Sequence, residues 1–294
     1  MTTHRPWLGI STRDWSINSD TPQAPPLPEY LGDMRPYLDV LVDRREGGTE
    51  VVGGVNKWII DANWKFGAEN FVQDGHHAFS SHVSALMAMQ PDDAPVADFP
   101  GGFTVTPGGG HGLVASDEPV LELLARDPVL LDYHQNVVRP ESARRLGAHR
   151  DAIHNVGAFT VFPNFSFLTG FQIIRVWVPR GPHHMEVRSW TLVDRDAPQE
   201  VKDAQLRLVR TTFSPSGLLE QDDGENWSMC QDTLRGYISR RLNSNVRMGL
   251  DMPIDSTAPG PGRVMPGWNE EPGRDFFRQY RHLMTDPTPH AWTT

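Results

Sequence analysis

An α+β fold on a largely antiparallel sheet is the expectation, and three observations carry it. Three β-rich runs follow one another directly, GAFTVFPNFSFL, FQIIRVWVP and HMEVRSWTLVD, with PRGPH as the turn between the last two. Helical runs lie before and after these strands rather than between them. The chain has 294 residues, enough for one main domain with one sizeable core.

Each element has its own signal. Residues 1–26, ending in SDTPQAPP, show neither a helical nor a strand period, which predicts an extended arm or linker. The domain proper is expected over 27–294. LPEYLGDMRPYLDVLVDRR, Leu27 to Arg45, has helical spacing despite Pro36, and Gly47-Gly48 supplies a stop. A strand is expected over Val51 to Ile60, then a hairpin in which Gly102–Thr106 and Gly112–Ala115 flank PGGGH. Pro119 to Gly147 carries helical signals. After the three β-rich runs, APQEVKDAQLRLVRTTF predicts a long helix with Pro198 at its first turn. A second helix is expected through ENWSMCQDTLRGYISRRL, then the loop DSTAPGPGRVMPGWNEEPG and a final helix, DFFRQYRHLM.

Composition narrows the function. With 37 acidic and 27 basic residues the net charge is -10, and no basic block is long enough to follow a phosphate backbone. Nucleic acid is not an expected partner. No apolar run approaches the roughly 18 residues of a membrane span, and MTTHRPWLGISTRDW lacks the pattern of a secretory signal. A soluble, cytoplasmic protein without membrane contact is expected. Cys230 is the only cysteine, so no internal disulfide and no two-cysteine cluster can form within these residues. It is expected to be a buried structural thiol, with no histidine base near it in sequence. PGGGHG lacks the GK[ST] of a phosphate loop and fits a hairpin turn, and no GxSxG elbow supports serine hydrolase chemistry. His183-His184 are expected at a solvated turn, and Trp58, Trp64, Trp177 and Trp190 in the core.

The chemistry-bearing stretch is NWKFGAENFVQDGHHAFSSHVSAL, Asn63 to Leu86, with Asp74, His76, His77 and His82 close together. On a regular helix a spacing of five puts His77 and His82 roughly 140° apart. Joint ligation therefore needs the helix to end or distort between them, which Ser80-Ser81 allows. Two imidazoles under-coordinate an iron or zinc ion, so a third ligand must come from elsewhere. Asp222-Asp223 in GLLEQDDGENW are the prominent candidates, an acidic break ahead of a tryptophan-bearing helix. Spacing alone leaves metal ligands and solvent-facing or satisfied histidines both open.

A wider pattern bears on that choice. The ordered blocks LPEYLGDMRPYLDVLVDRREGGTEVVGG, KWIIDANWKFGAENFVQDGHHAFSSHVS, VFPNFSFLTGFQIIRVWVPRG, SWTLVDRDAPQEVKDAQLRLVRTTFSPSGLLEQDDGENW and TLRGY cover about residues 27 to 237. In that order they resemble the catalytic domain of the large (α) subunit of Rieske-type aromatic ring-hydroxylating dioxygenases. The resemblance implies a helix-grip fold, a curved antiparallel sheet packed with long helices. It implies mononuclear Fe(II) held by His77, His82 and Asp223, where the family pattern NWK...ENFxxDxYHxxxxH and its later DD pair match. Asp74 matches the aspartate that links the iron to a Rieske cluster in the neighbouring subunit, and Asn70 an asparagine beside the iron. Phe71 and Leu219 match positions that line the substrate pocket.

Two departures matter. The tyrosine before the first ligand is His76 here, a residue able to compete for metal or alter hydrogen bonding around it. Family α subunits also begin with a Rieske domain whose 2Fe-2S cluster needs two cysteines and two histidines, and WLGISTRDWSINSDTPQAPPLPEYLGDM resembles only its junction with the catalytic domain. The function so implied is a terminal oxygenase component that adds O2 to an aromatic ring to give a cis-dihydrodiol. Electrons would come from NAD(P)H through a reductase and ferredoxin to a Rieske protein acting in trans. A β subunit and a homotrimer or α3β3 assembly are implied by the same likeness. Two other readings stand beside it: an inactive truncated α subunit that folds and binds metal or ligand without turnover, and a zinc hydrolase using the same ligands.

Overall fold

A computed structural model describes residues 25–89, 101–116, 127–147, 153, 157–255 and 260–285. The arm expected over 1–26, but for its last two residues, and the start of the helical run from Pro119 lie outside the described residues. Eight strands form one sheet: β1 (Thr49–Ile60), β2 (Gly102–Gly108), β3 (His111–Ser116), β4 (Gly157–Val161), β5 (Phe165–Leu168), β6 (Ile173–Pro179), β7 (Met185–Asp194) and β8 (Arg263–Pro266). Their spatial order is β1-β7-β6-β5-β4-β3-β2-β8, and every neighbouring pair is antiparallel. The α+β helix-grip expectation is met.

The helices are α1 (Leu27–Leu31), α2 (Arg35–Val42), α3 (Trp64–Gln73), α4 (Val83–Met89), α5 (Pro128–Tyr133), α6 (Arg139–Leu146), α7 (Gln199–Thr212), α8 (Leu218–Leu234) and α9 (Glu271–Thr285). Pro36 sits in the first turn of α2, where its missing N–H costs nothing. Residues Gly108, Gly109 and Gly110 at the β2–β3 turn all have positive φ, a conformation that side chains with a Cβ resist. Alternate strand residues feed two cores. One, containing Phe71, Trp177, Val187, Val209 and Phe276, lies under α3, α7, α8 and α9. The other, containing Leu38, Leu113, Phe159, Phe167 and Leu192, is closed by α1 and α2. Among the described residues no helix is long and apolar enough to cross a membrane.

Four expectations are corrected. GAFTVFPNFSFL forms two strands, β4 and β5, because the chain turns at Phe162–Asn164. The proline- and glycine-rich loop contains β8, whose Val264 and Met265 are buried against β2, and α9 begins at Glu271 with Pro272 in its first turn. Asp222-Asp223 do not break the chain: α8 starts at Leu218 and carries them in its second turn. Its inward stripe is Leu219, Glu220, Asp223, Trp227 and Gln231, a helical period written largely in polar residues. Cys230 lies off that stripe and is an exposed free thiol rather than a buried one.

A relay of hydroxyls seats α3 on the sheet. The Trp177 indole N–H donates to Ser166 Oγ at 2.7 Å, the Ser166 and Thr160 hydroxyls are 2.7 Å apart, and Thr160 Oγ1 donates to the Ala68 carbonyl at 2.8 Å. Each hydroxyl has one proton, so the direction runs from Trp177 to Ser166 to Thr160 to α3. Gly67 completes the seat, because a Cβ there would stand 2.6 Å from the Trp177 ring.

Candidate metal centre

α3 delivers the first residues of the site. The Asn63 side chain caps it by accepting from the Lys65 N–H, and Asn70 and Phe71 fall on its buried side. Asp74 ends the helix, and its Oδ1 accepts from the His77 main-chain N–H at 3.1 Å. A short 3-10 turn over His76–Phe79 follows. The Ser80 and Ser81 N–H groups both donate to the His77 carbonyl, at 3.0 and 2.7 Å, so the helical ladder closes there and restarts at α4. That break lets two histidines five residues apart turn to one point: their ring centroids are 4.9 Å apart. α8 supplies Asp223 from the opposite side, and the Asn226 amide donates to Ser81 Oγ, tying α8 to the break.

His77, His82 and Asp223 each present one ligand atom, and the three atoms lie within 4.8 Å of one another. Asp223 Oδ1 stands 3.4 Å from His77 Nε2 and 3.3 Å from His82 Nε2. His82 and Asp223 are buried at 5% and 1% exposure. The outer nitrogens decide what these atoms are. His77 Nδ1 meets the Asp74 carbonyl oxygen, which only accepts, so that nitrogen carries a proton. His82 Nδ1 lies 3.1 Å from Asp222 Oδ2 and donates likewise. Neutral imidazoles so arranged point bare Nε2 lone pairs at a carboxylate oxygen that has no hydrogen-bond partner among the described residues. In that neutral form three acceptors converge without a donor, an arrangement that a cation satisfies. These residues therefore fit a divalent metal with one carboxylate and two imidazole ligands.

The electrostatics agree. Burial lowers the basicity of His77, but the hydrogen bond to Asp74 and the charges of Asp223 and Asp74 outweigh it and raise the imidazole to about 9. The same negative surroundings that favour a proton on His77 would favour a divalent cation, whose binding would displace that proton. Asp74 is held below the usual carboxylate range: burial opposes this, but the hydrogen bond and charge of His77 prevail, with His76 adding to them.

Asn70 brings its amide nitrogen within 3.2 Å of His77 Nδ1. Phe71 and Leu219 lie in the same apolar core, and Phe71 packs edge-on against Trp177 with centroids 5.4 Å apart. His76 is exposed and sits edge-on to Trp268; it does not join the converging group. Sequence reasoning missed Asp222 as the partner of His82, Asn226 as the tie to Ser81, and the buried pair Arg175–Glu220 beside Phe71. The adjacency of Asp222 to Asp223 was the one available signal.

Comparison with known proteins gives the family of the chain. The family model described as ring hydroxylating alpha subunit (catalytic domain) matches residues 29–286. The chain is 40% identical over 270 residues to the chlorobenzene dioxygenase subunit alpha of a Cupriavidus species, covering 89% of this chain and 60% of that one. It is 38% identical over 290 residues to the benzene 1,2-dioxygenase subunit alpha of Pseudomonas putida, covering 96% and 63%. The naphthalene 1,2-dioxygenase structure from Rhodococcus sp. bound to indole superposes with a TM-score of 0.74 at 32% identity, over 91% of this chain and 64% of that one. The chain thus spans about three-fifths of the length of the relatives it matches. With a catalytic-domain match over nearly its whole described length, the chain belongs to the family of ring-hydroxylating dioxygenase alpha subunits.

Proposed function

We propose that this chain is the catalytic part of a terminal oxygenase that adds both atoms of O2 to an aromatic ring, giving a cis-dihydrodiol. The observation that carries the reading is the convergence of His77 Nε2, His82 Nε2 and Asp223 Oδ1 within 4.8 Å, with Asp223 Oδ1 lacking a hydrogen-bond partner among the described residues. His77, His82 and Asp223 would hold mononuclear Fe(II). When bound, the iron supplies redox chemistry toward O2 at positions that two histidines and one carboxylate leave open.

The chain's own groups do the rest. Asp222 and the Asp74 carbonyl keep the Nδ1 protons in place, so both Nε2 atoms face inward. Phe71 and Leu219, 3% and 2% exposed, lie in the apolar core and would offer apolar surface to an aromatic substrate. Asn70 stands against the His77 ring. The reaction consumes two electrons and two protons per O2. The electrons originate in NAD(P)H and arrive, through a ferredoxin and reductase, from a Rieske 2Fe-2S centre. One cysteine is present in these 294 residues, so that centre, which needs two, lies outside them. Asp74 is the point of arrival: its side chain is 40% exposed, and its Oδ1 accepts a hydrogen bond from the His77 main-chain N–H. A β subunit and a trimeric assembly, like those implied by the family likeness, complete the enzyme.

The names of the relatives point to benzene, chlorobenzene, biphenyl and naphthalene as first substrates to try. The test is dihydrodiol formation from these by the iron-loaded chain, supplied with a Rieske protein, ferredoxin, reductase and NADH. Product that disappears in His82→Ala supports the reading. Iron-loaded chain that yields no oxidised product with any of the four, under conditions where a related oxygenase turns over, refutes it.

A further inference from the structure

Arg175 lies at the centre of the apolar core, on β6, with a side chain 0% exposed. Its Nη2 donates to Glu220 Oε2 on α8 and to the Phe213 carbonyl, 3.0 Å away, at the end of α7. Its Cζ lies 5.4 to 5.6 Å from the ring centroids of Trp58, Phe71, Trp177 and Phe213. One guanidinium therefore touches both helices that bring the triad together: α3 through Phe71, two residues short of its C-terminus, and α8 through Glu220. Asp223 follows Glu220 by one turn on the same buried stripe.

Stability alone does not explain this pair. A buried ion pair recovers its desolvation cost only when the remaining polar atoms are satisfied. Arg175 Nε and Nη1 and Glu220 Oε1 have no hydrogen-bond partner among the described residues. Apolar side chains of similar size would fill the same space without that cost. What they would not supply is a directional link between the sheet, the α7–α8 connection and the helix face that carries Asp223.

We infer that Arg175 and Glu220 are positioning residues for the metal ligands: the pair sets where α8 lies against β6 and so where Asp223 meets His77 and His82. This rests on the metal reading above. The two N–H bonds of Arg175 Nη2, fixed in the guanidinium plane, go one to the Phe213 carbonyl and one to Glu220. Its aromatic neighbours hold that plane in one orientation.

The test uses the whole chain with Co(II) as probe, comparing wild type, Arg175→Met, Glu220→Leu and the double variant. Thermal unfolding reads the fold; Co(II) titration and the visible Co(II) bands read the ligand geometry. Each single variant strands a buried charge and is expected to lose stability. The double variant is expected to recover thermal stability over the singles, yet to bind Co(II) at least about ten-fold more weakly and with shifted bands. A double variant with recovered stability, an unchanged spectrum and affinity within about two-fold of wild type overturns the inference alone. So does a double variant no more stable than the singles, because the pair then belongs to the core. Wild type that takes up no Co(II) overturns the metal reading and this inference with it.

Discussion

Replacing Asp222 by alanine tests how much of the metal affinity comes from outside the ligand set. Asp222 touches no ligand position itself, but its Oδ2 lies 3.1 Å from His82 Nδ1. The substitution removes a carboxylate acceptor from an imidazole N–H in a group whose side chain is 29% exposed. A charge-assisted hydrogen bond contributes about 1.5–3 kcal/mol when well shielded. Partial exposure places the loss toward the lower end, about 1.5–2 kcal/mol, or a 10- to 30-fold weaker Kd. Without its acceptor, Nδ1 no longer fixes the tautomer, and part of the population turns Nε2–H toward the metal position. Asp222→Asn keeps an acceptor oxygen and should lose only about three-fold. Anaerobic titration with Fe(II) against a chromophoric chelator measures both variants. Alanine binding within two-fold of wild type, or asparagine weaker than alanine, would refute the reasoning.

Other consequences are as direct. Thr160→Val breaks the relay between Trp177 and α3 while keeping shape, and should cost about 2 kcal/mol in urea unfolding; an unchanged midpoint would show that the relay carries nothing. His134 is held down to about 3 by burial, with the charges of Arg44 and Arg139 adding. A base so depressed binds its proton only on unfolding, so its stability contribution is complete above about 6.5 and is lost as pH falls toward 3. Between pH 7 and 5 that amounts to about 2 kcal/mol, and His134→Gln should lose less stability than wild type over this interval. Asp74→Asn should retain iron, because Asp74 is not among the three converging side chains, but should stop NADH-driven turnover; turnover near wild type would remove Asp74 from the proposed electron path.

Fold and site were legible to different depths for local reasons. Strands β6 and β7, and the single run that holds β4 and β5, showed because they are rich in apolar and β-branched residues, and the β2–β3 hairpin because PGGGH announces its turn. β8 was hidden: four residues with two adjacent buried apolar side chains carry no detectable period inside a loop rich in proline and glycine. The start of α8 was hidden for the opposite reason. Its buried stripe includes Glu220, Asp223 and Gln231, so a helix read by apolar periodicity begins too late and the DD pair is mistaken for a break. At the site, the spacing of His77 and His82 required a distorted turn, and Ser80-Ser81 provide it; the long-range partners Asp222, Glu220 and Arg175 exist only once α8 is laid against the sheet.

Iron content of the anaerobically reconstituted chain, compared with His77→Ala and Asp223→Ala, bears most directly on the metal centre. Near one Fe(II) per chain in wild type, lost in both variants, is the expected result. Little iron in wild type, or full iron in Asp223→Ala, would contradict the assignment of His77, His82 and Asp223 as its ligands.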